Sequence, residues 1–299
     1  MTAQPAPPFA PPPAHVGRAA VWMLGAIASF TSMAVAGRAA SLELDTFELM
    51  TWRSAVGFVI VLVVGLASGK LRQVTTRHMG RHVARNIAHF TGQNLWFYAI
   101  TVSPLALVFA LEFTSPLWTI ALAALFLGER LTRVKLLAGA MGFAGILAIV
   151  QPGNASLSPG MVAASAAAVM FATTAIFTKR LTATETTTCI LFWLTLIQLG
   201  LGLATSLYDG DMAVPSAAMV PWVVLIGIAG LAAHFCLTTA LSLAPASVVM
   251  PMDFARLPVI AVIGVLFYDE ALGLGVILGA LLILGGNYLN IRAGRRKTA

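Results

Sequence analysis

Charge is what this chain lacks. Only 10% of its 299 residues are Asp, Glu, Lys or Arg, against about 25% in a soluble domain. Polar surface that sparse cannot clothe a water-soluble globule, and a mean hydropathy of +0.90 makes lipid the expected solvent. Cysteine is nearly missing as well. Cys189 and Cys236 both lie inside apolar segments, which excludes a disulfide framework or a zinc pattern and leaves them as small buried hydrophobes. Enzyme and nucleotide signatures are absent too: no His-Glu-x-x-His, no Gly-x-Ser-x-Gly elbow and no P-loop. ATP therefore cannot drive work within this chain, and any power must come from an ion or solute gradient. No basic stretch leads into a short apolar run with a small-residue cleavage site, so no cleaved signal peptide is expected. Residues 4–13 hold six prolines and no charge, and read as an extended, disordered tail.

What the chain has instead is long apolar runs. A helix that crosses a bilayer needs about 20 mostly apolar residues. Ten such runs are legible, at 21–37, 47–67, 83–102, 105–127, 136–150, 161–178, 186–207, 219–243, 246–268 and 274–291. The fifth is short and can extend through Val134. With the N-terminus inside, 15 of the 18 basic residues fall on the cytoplasmic side, including Arg18, Lys70, Arg72, Arg77, Arg81, Arg85, Arg130, Arg133, Lys179 and Arg180. The external loops collect Glu43, Asp45, Glu48, Asp209, Asp211, Asp269 and Glu270, with Arg38 the lone basic residue there. This is the positive-inside pattern, and it places both termini in the cytoplasm. The pI near 10.0 is then a topology signal and not a nucleic-acid footprint.

The chain also resembles itself at an offset of 141 residues. Trp52 answers to Trp193, Phe30 to Phe171, Arg38 to Lys179, Glu112 to Asp253, Glu129 to Glu270 and Gly145 to Gly286. Each copy holds five spans. An odd number makes the second copy enter from the opposite face, so the halves form an inverted pair. The expected architecture is an all-α polytopic membrane protein of ten transmembrane helices in two inverted five-helix repeats. The divisions are a tail at 1–17, a first repeat at 18–152, a second at 153–292 and a basic tail at 293–299.

Within the repeats the residues become recognisable. Asn94-Leu95-Trp96-Phe97-Tyr98-Ala99-Ile100 runs into Ser103-Pro104, and Leu125 to Thr132 holds Gly128-Glu129-Arg130. A helix dotted with Gly139, Gly142 and Gly145 closes the copy. Ala244-Pro245, Leu266-Phe267-Tyr268-Asp269-Glu270 and Gly285-Gly286 repeat the plan. The chain from Val21 to Ile291 resembles the EamA domain of the drug/metabolite transporter superfamily. That resemblance implies a ten-helix, basket-like carrier of the bacterial inner membrane. Its members move small organic solutes, often outward, and share no universal substrate motif. Asp269-Glu270 departs from the Gly-Glu of the first copy and puts a simple helix-capping equivalence there in doubt.

Charges inside spans are costly, at about 2.5–3.5 kcal/mol each on insertion scales. Glu112, Asp253 and Arg256 should therefore pair, lose charge or face a wet cavity. Asp253 and Arg256 are spaced to meet on one helix face, either as a structural ion pair or with Arg256 anchoring a substrate carboxylate or phosphate. Glu112 can reach Arg256 across the repeat interface, or act as a proton acceptor; Glu112 and Asp253 are the candidates for proton coupling. In the third span, His89, Gln93, Trp96 and Phe97 share a face, and His234 stands at the repeat position of Gln93. This set suits a pocket for a small amphiphilic solute.

Arg53 can snorkel or pair with Glu48 or Glu112. His78 and His82 read as solvated loop residues. Ser29, Thr31, Ser32, Thr173 and Thr174 read as bonding back to their own helices. Pro116, Pro245, Pro251 and Pro258 are candidate bend points. Gly275 with Gly279, and Ala138 with Gly142, suggest close helix packing.

The function expected is a secondary transporter moving a small polar or zwitterionic metabolite, amino-acid-like or drug-like, by alternating access, in export or exchange. A membrane-embedded enzyme or a non-transporting sensor or scaffold are the alternatives. The expected partners are the lipid bilayer and a small-molecule solute, with no cofactor and no metal.

Overall fold

The computed structural model describes residues 15–40, 43–103, 108, 111–150, 158–208, 212–256, 259 and 274–296. Among the described residues the α-helical elements are, in order, α1 Val16–Ala40, α2 Thr46–Ala67, α3 Met79–Val102, α4 Ser115–Leu127, α5 Arg133–Val150, α6 Pro159–Leu181, α7 Thr187–Ser206, α8 Val220–Leu243, α9 Ala246–Val249 and α10 Leu274–Arg296. A 3-10 segment, Met250–Ala255, continues α9. By length and composition, α2, α6, α7, α8 and the stretch Val16–Gly37 of α1 can each cross a membrane. Apolar side chains crowd the outer surface: Leu66, Leu125 and Leu281 are all more than 60% exposed. A monomer in water does not expose apolar surface on that scale.

Helix boundaries repeat with the sequence. α2 and α7 begin at Thr46 and Thr187, α5 and α10 at Arg133 and Leu274, and α3 and α8 share both ends of the repeat. Capping side chains set two of these starts. Asp45 accepts from the Glu48 backbone while Glu48 accepts from that of Asp45, a reciprocal box. Its repeat mate Thr186 accepts from the Cys189 backbone.

Packing obeys the same two-fold. α1 lies on α8 as α6 lies on α3, while α2 packs on its own mate α7 and α5 on its mate α10. At the α5–α10 crossing, a Cβ added to Gly145 would come 2.7 Å from the Gly279 carbonyl oxygen, and one added to Gly286 would come 2.9 Å from that of Ala138. Gly145 and Gly286 are mates, and so are Ala138 and Gly279. The loops follow suit. Trp52 Nε1 donates to the Ala213 carbonyl at 3.0 Å, and Trp193 Nε1 to that of Thr75 at 2.8 Å.

Some expected boundaries shift. α3 begins at Met79, four residues before the apolar run, so His82 and Arg85 belong to the helix and are wholly buried, not solvated or loop-borne. His78, at its N-cap, is half-buried. Pro116 and Pro245 start helices and do not bend them, because the first turn needs no amide from them. Pro251 does lie in a departure from α geometry, the 3-10 segment. The fourth run is interrupted: Phe113 and Thr114 form a turn between Glu112 and the start of α4. The tail 1–14, Pro104, Asp209, Asp211, Pro258, Asp269 and Glu270 lie outside the described residues.

Candidate functional site

One face of α3 carries a polar stripe through the bundle. His82, Arg85, Asn86, His89, Gln93 and Trp96 recur every three or four residues. Packing of α3 on α6 and α7 turns the stripe inward. Gly92 permits the α6 approach: a Cβ there would come 3.0 Å from Met170 and Phe171.

His89 and His234 meet edge to face with ring centroids 4.7 Å apart. Phe171 flanks His89 at 6.1 Å, and its repeat mate Phe30 flanks His234 at 5.8 Å. Both imidazoles are buried. Among the described residues, neither nitrogen of His89 nor Nδ1 of His234 has a hydrogen-bond partner. Buried polar atoms are almost always paired, so these idle nitrogens mark an interaction that the surrounding side chains do not supply.

Beside them lies a triad. Arg256 donates to Glu112 at 2.8 Å and to Asp253 at 3.0 Å. Trp96 Nε1 donates to the other Glu112 oxygen at 2.8 Å. The guanidinium stacks over Phe113 at 4.9 Å and over Phe30 at 5.4 Å. Phe30 therefore joins the triad to the histidine pair. Phe97 packs edge-on against Trp96 at 5.1 Å. The reach of Glu112 to Arg256 across the repeats is the one expected from their symmetry-related spans. It satisfies charges that would otherwise be stranded in an apolar bundle.

Arg53 pairs with neither expected acid. Glu48 is spent on the Asp45 and Ala213 amides, and Glu112 on Arg256. Arg53 instead faces the Gln93 side-chain amide, whose oxygen accepts from both terminal guanidinium nitrogens once the amide is turned toward them, and it reaches the Met50 sulfur at 3.4 Å. It borders a small cleft of about 20 Å³, room for about one water, with Ser54, Gln198 and His234. Arg85 stands behind that cleft, donating to Thr178 at 3.1 Å and to Asn86 at 3.2 Å. Gln198 links the two layers through a 2.9 Å bond to the Asn86 carbonyl.

All eight expected site residues thus fall in one connected region. Sequence reasoning missed Arg85, Asn86, Gln198 and Phe113 as its neighbours and left Arg53 undecided. The spacing 82, 85/86, 89, 93 held a signal for Arg85 and Asn86, but the positive-inside count absorbed Arg85 as a loop charge. Asn94 donates back to the Phe90 carbonyl and so leaves the stripe. Ser32, Thr173 and Thr174 bond to their own helices as expected.

Two further clusters lie toward one end of the bundle. His82, Glu185 and Cys189 could hold a metal by mutual distance, their ligating atoms lying within 4.8 Å of one another. Thr75 already engages Glu185 through its hydroxyl and Cys189 through its amide, so these groups have partners without one. The Glu129 carboxylate accepts from the Ala246 and Ser247 amides at the start of α9, and Lys135 reaches it at 3.5 Å. Lys179 binds the Ala244 carbonyl at 2.8 Å, and Arg180 the Phe126 carbonyl at 2.6 Å. The ends of α4, α6 and α8 and the start of α9 are thereby tied together.

Comparison with known proteins extends this picture. The model of the EamA-like transporter family matches residues 17–151 and again 158–292. A riboflavin transporter of Brucella anthropi is 32% identical over 254 residues, 83% of this chain and 89% of that protein. A riboflavin transporter of Rhizobium johnstonii is 29% identical over 93% of this chain and 92% of its own length. An S-adenosylmethionine uptake transporter of Rickettsia felis is 24% identical, covering 88% of each. A known crystal structure superposes with a TM-score of 0.79 at 19% identity, over 95% of this chain and 99% of that one.

Proposed function

The chain belongs to the EamA-like transporter family, and from that membership we propose that it carries a planar heteroaromatic solute of the riboflavin kind through the region between its repeats. The protein is an all-helical, multi-pass membrane protein, a secondary transporter of small organic molecules and not an enzyme. The observation that carries the finer reading is the ring set around His89 and His234. Two buried imidazoles with idle nitrogens, flanked by Phe30 and Phe171, offer stacking faces and polar edges at one depth. A flat ring system with carbonyl and imide edges matches both demands. The riboflavin transporters among its relatives support the same choice.

In this reading His89, Gln93, His234, Trp96 and Phe97 contact the solute. Glu112, Asp253 and Arg256 border it, and the two carboxylates take and release the coupling proton. The inverted repeats supply alternating access, with the halves exchanging conformations. Exchange and export accord with the family resemblance. Uptake, which the name of the Rickettsia felis relative states, is the same cycle run down the opposite gradient. The charge distribution supports an inner-membrane location with both termini in the cytoplasm.

The test is counterflow in proteoliposomes loaded with unlabelled riboflavin. Labelled riboflavin outside should accumulate transiently and saturably, and the double variant His89→Ala/His234→Ala should lose that overshoot. Counterflow with an amino acid but none with riboflavin would replace the flavin-like solute by the zwitterionic one.

A further inference from the structure

His82, Glu185 and Cys189 meet at the end of the bundle that the charge pattern assigns to the cytoplasm. They come from the start of α3, the α6–α7 connection and the first turn of α7. No local motif announces them, because 107 residues separate His82 from Cys189, and only the packing of α3 on α7 closes that distance. One ligating atom from each lies within 4.8 Å of the others, and His82 Nε2 stands 3.9 Å from Cys189 Sγ. Around a tetrahedral cation with bonds of roughly 2.0–2.3 Å, neighbouring ligand atoms stand about 3.3–3.6 Å apart. Side-chain shifts of about 1 Å therefore close the three around one ion.

The hydrogen bonds already present at the cluster do not close it. Thr75 Oγ1 donates to the two Glu185 oxygens at 3.0 and 3.2 Å, and the Thr75 amide donates to Cys189 Sγ at 3.5 Å. Each carboxylate oxygen, and a thiolate sulfur, keeps lone pairs beyond the one so engaged. Bonds of this kind are what hold metal ligands in place. The Cys189 thiol in turn donates to the Thr75 carbonyl at 3.7 Å. Loss of that proton strands nothing, since Trp193 Nε1 donates to the same carbonyl at 2.8 Å. His82 is wholly buried, and its Nδ1 has no partner among the described residues. No described neighbour therefore fixes the ring proton at Nε2, the nitrogen that faces the sulfur, and its lone pair is free to bind. The way in is open: Glu185 is half-buried, and Thr75, Thr184 and Thr186 beside it are exposed.

We infer that His82, Glu185 and Cys189 form a binding site for a divalent transition cation of the zinc kind, with Thr75 as a positioning residue. The donor set fits that class, because thiolate and imidazole do not suit magnesium or calcium, which take oxygen ligands. Charge fits as well. The cation displaces the Cys189 thiol proton to solvent, and thiolate and carboxylate together then cancel its two positive charges. Arg85, on the next turn of α3, is engaged with Thr178 and Asn86. Three protein ligands leave a fourth position open. His78, at the N-cap of α3 and four residues before His82, has a buried Nε2 without a partner among the described residues and is the candidate for it. A bound ion would pin the start of α3 to α7, and α3 carries His89, Gln93 and Trp96. Occupancy of the site would thus stiffen the solute region from a distance, whichever solute that region carries.

The experiment titrates the purified full chain, freed of any histidine tag, with Co²⁺ as a spectroscopic stand-in and then with Zn²⁺. One ion should bind per chain, with a thiolate-to-cobalt charge-transfer band that Zn²⁺ abolishes by displacement. Cys189→Ser should remove the band and weaken Zn²⁺ binding by at least about ten-fold, and Glu185→Gln should weaken binding by a similar factor while keeping the band. Thr75→Val, which removes only the hydroxyl, should weaken binding by about 10–100-fold. Cys236→Ser should leave both band and affinity unchanged. A charge-transfer band that persists in Cys189→Ser, affinity unchanged in both Cys189→Ser and Glu185→Gln, or no saturable binding of either ion, overturns the site. Should Cys189→Ser fail to fold, Glu185→Gln and Thr75→Val decide, and unchanged affinity in both overturns it. None of these readouts involves the transported solute, so they stand or fall apart from the flavin-type reading.

Discussion

Arg256 faces two carboxylates at once, Glu112 at 2.8 Å and Asp253 at 3.0 Å, so the buried triad carries one negative charge in excess. Asp253 Oδ1 has no hydrogen-bond partner among the described residues. A single proton can therefore enter without leaving the guanidinium unpaired, which is the property a coupling site needs. Asp253→Asn places the triad permanently in the proton-loaded charge state. Solute exchange should survive near the wild-type rate, while the response of net transport to an imposed pH gradient should vanish. Glu112→Gln should lose the same response, although it keeps an oxygen for Trp96. Proteoliposome assays that separate exchange from gradient-driven flux read both. A wild-type pH response in Asp253→Asn would remove the triad from coupling.

Among the elements, the α5–α10 crossing and the α9 start carry contrasting lessons. The crossing is closed by backbone against backbone, so no rotamer change can make room for a new methyl. Gly145→Ala and Gly286→Ala should each force the helices apart at a cost of about 1–3 kcal/mol. Gly200→Ala on α7, whose added Cβ meets nothing within 4 Å, should be neutral or stabilising by up to about 1 kcal/mol. Melting temperatures of the three variants in detergent give the ranking, and equal values for Gly145→Ala and Gly200→Ala would refute the contact. The glycines of this helix were visible in the sequence as a close-packing stripe. Gly286 against Ala138 was not, since pairing across 148 residues needs both helices in place. α9 shows the opposite limit. Its apolar run reads as continuous, yet the described part is one α turn followed by 3-10 geometry. Hydropathy counts side chains and is blind to the backbone amide that Pro251 lacks.

For the whole molecule, the two repeats and the charge sorting give a topology that can be tested without knowing the solute. Reporters fused after Ala299 or placed within residues 72–77 should report the cytoplasm, and a reporter near Glu43 the periplasm. A periplasmic reading after Ala299 would contradict the ten-helix arrangement with both ends inside. The structure makes the repeat physical. Trp52 and Trp193, alike in sequence, each tie their helix to the loop that precedes a helix of the opposite half.

Fold class, repeat length and the run of apolar spans were determined by the sequence alone. They follow from composition and from the equality of residues at a fixed offset, which need no contacts to be read. The pairing of Glu112 with Arg256 was within reach, because repeat symmetry brings the two spans together. The fate of Arg53 and Arg85 was decided only in three dimensions. An arginine within a span reads the same in sequence whether it snorkels or is buried, since nothing local distinguishes the two. What buries Arg85 is the docking of α3 against α6 and α7, and what buries Arg53 is the close approach of α8, whose Gly227 and Gly230 pack against Val56 and the Arg53 side chain. Those are relations between elements, and only the packed chain contains them.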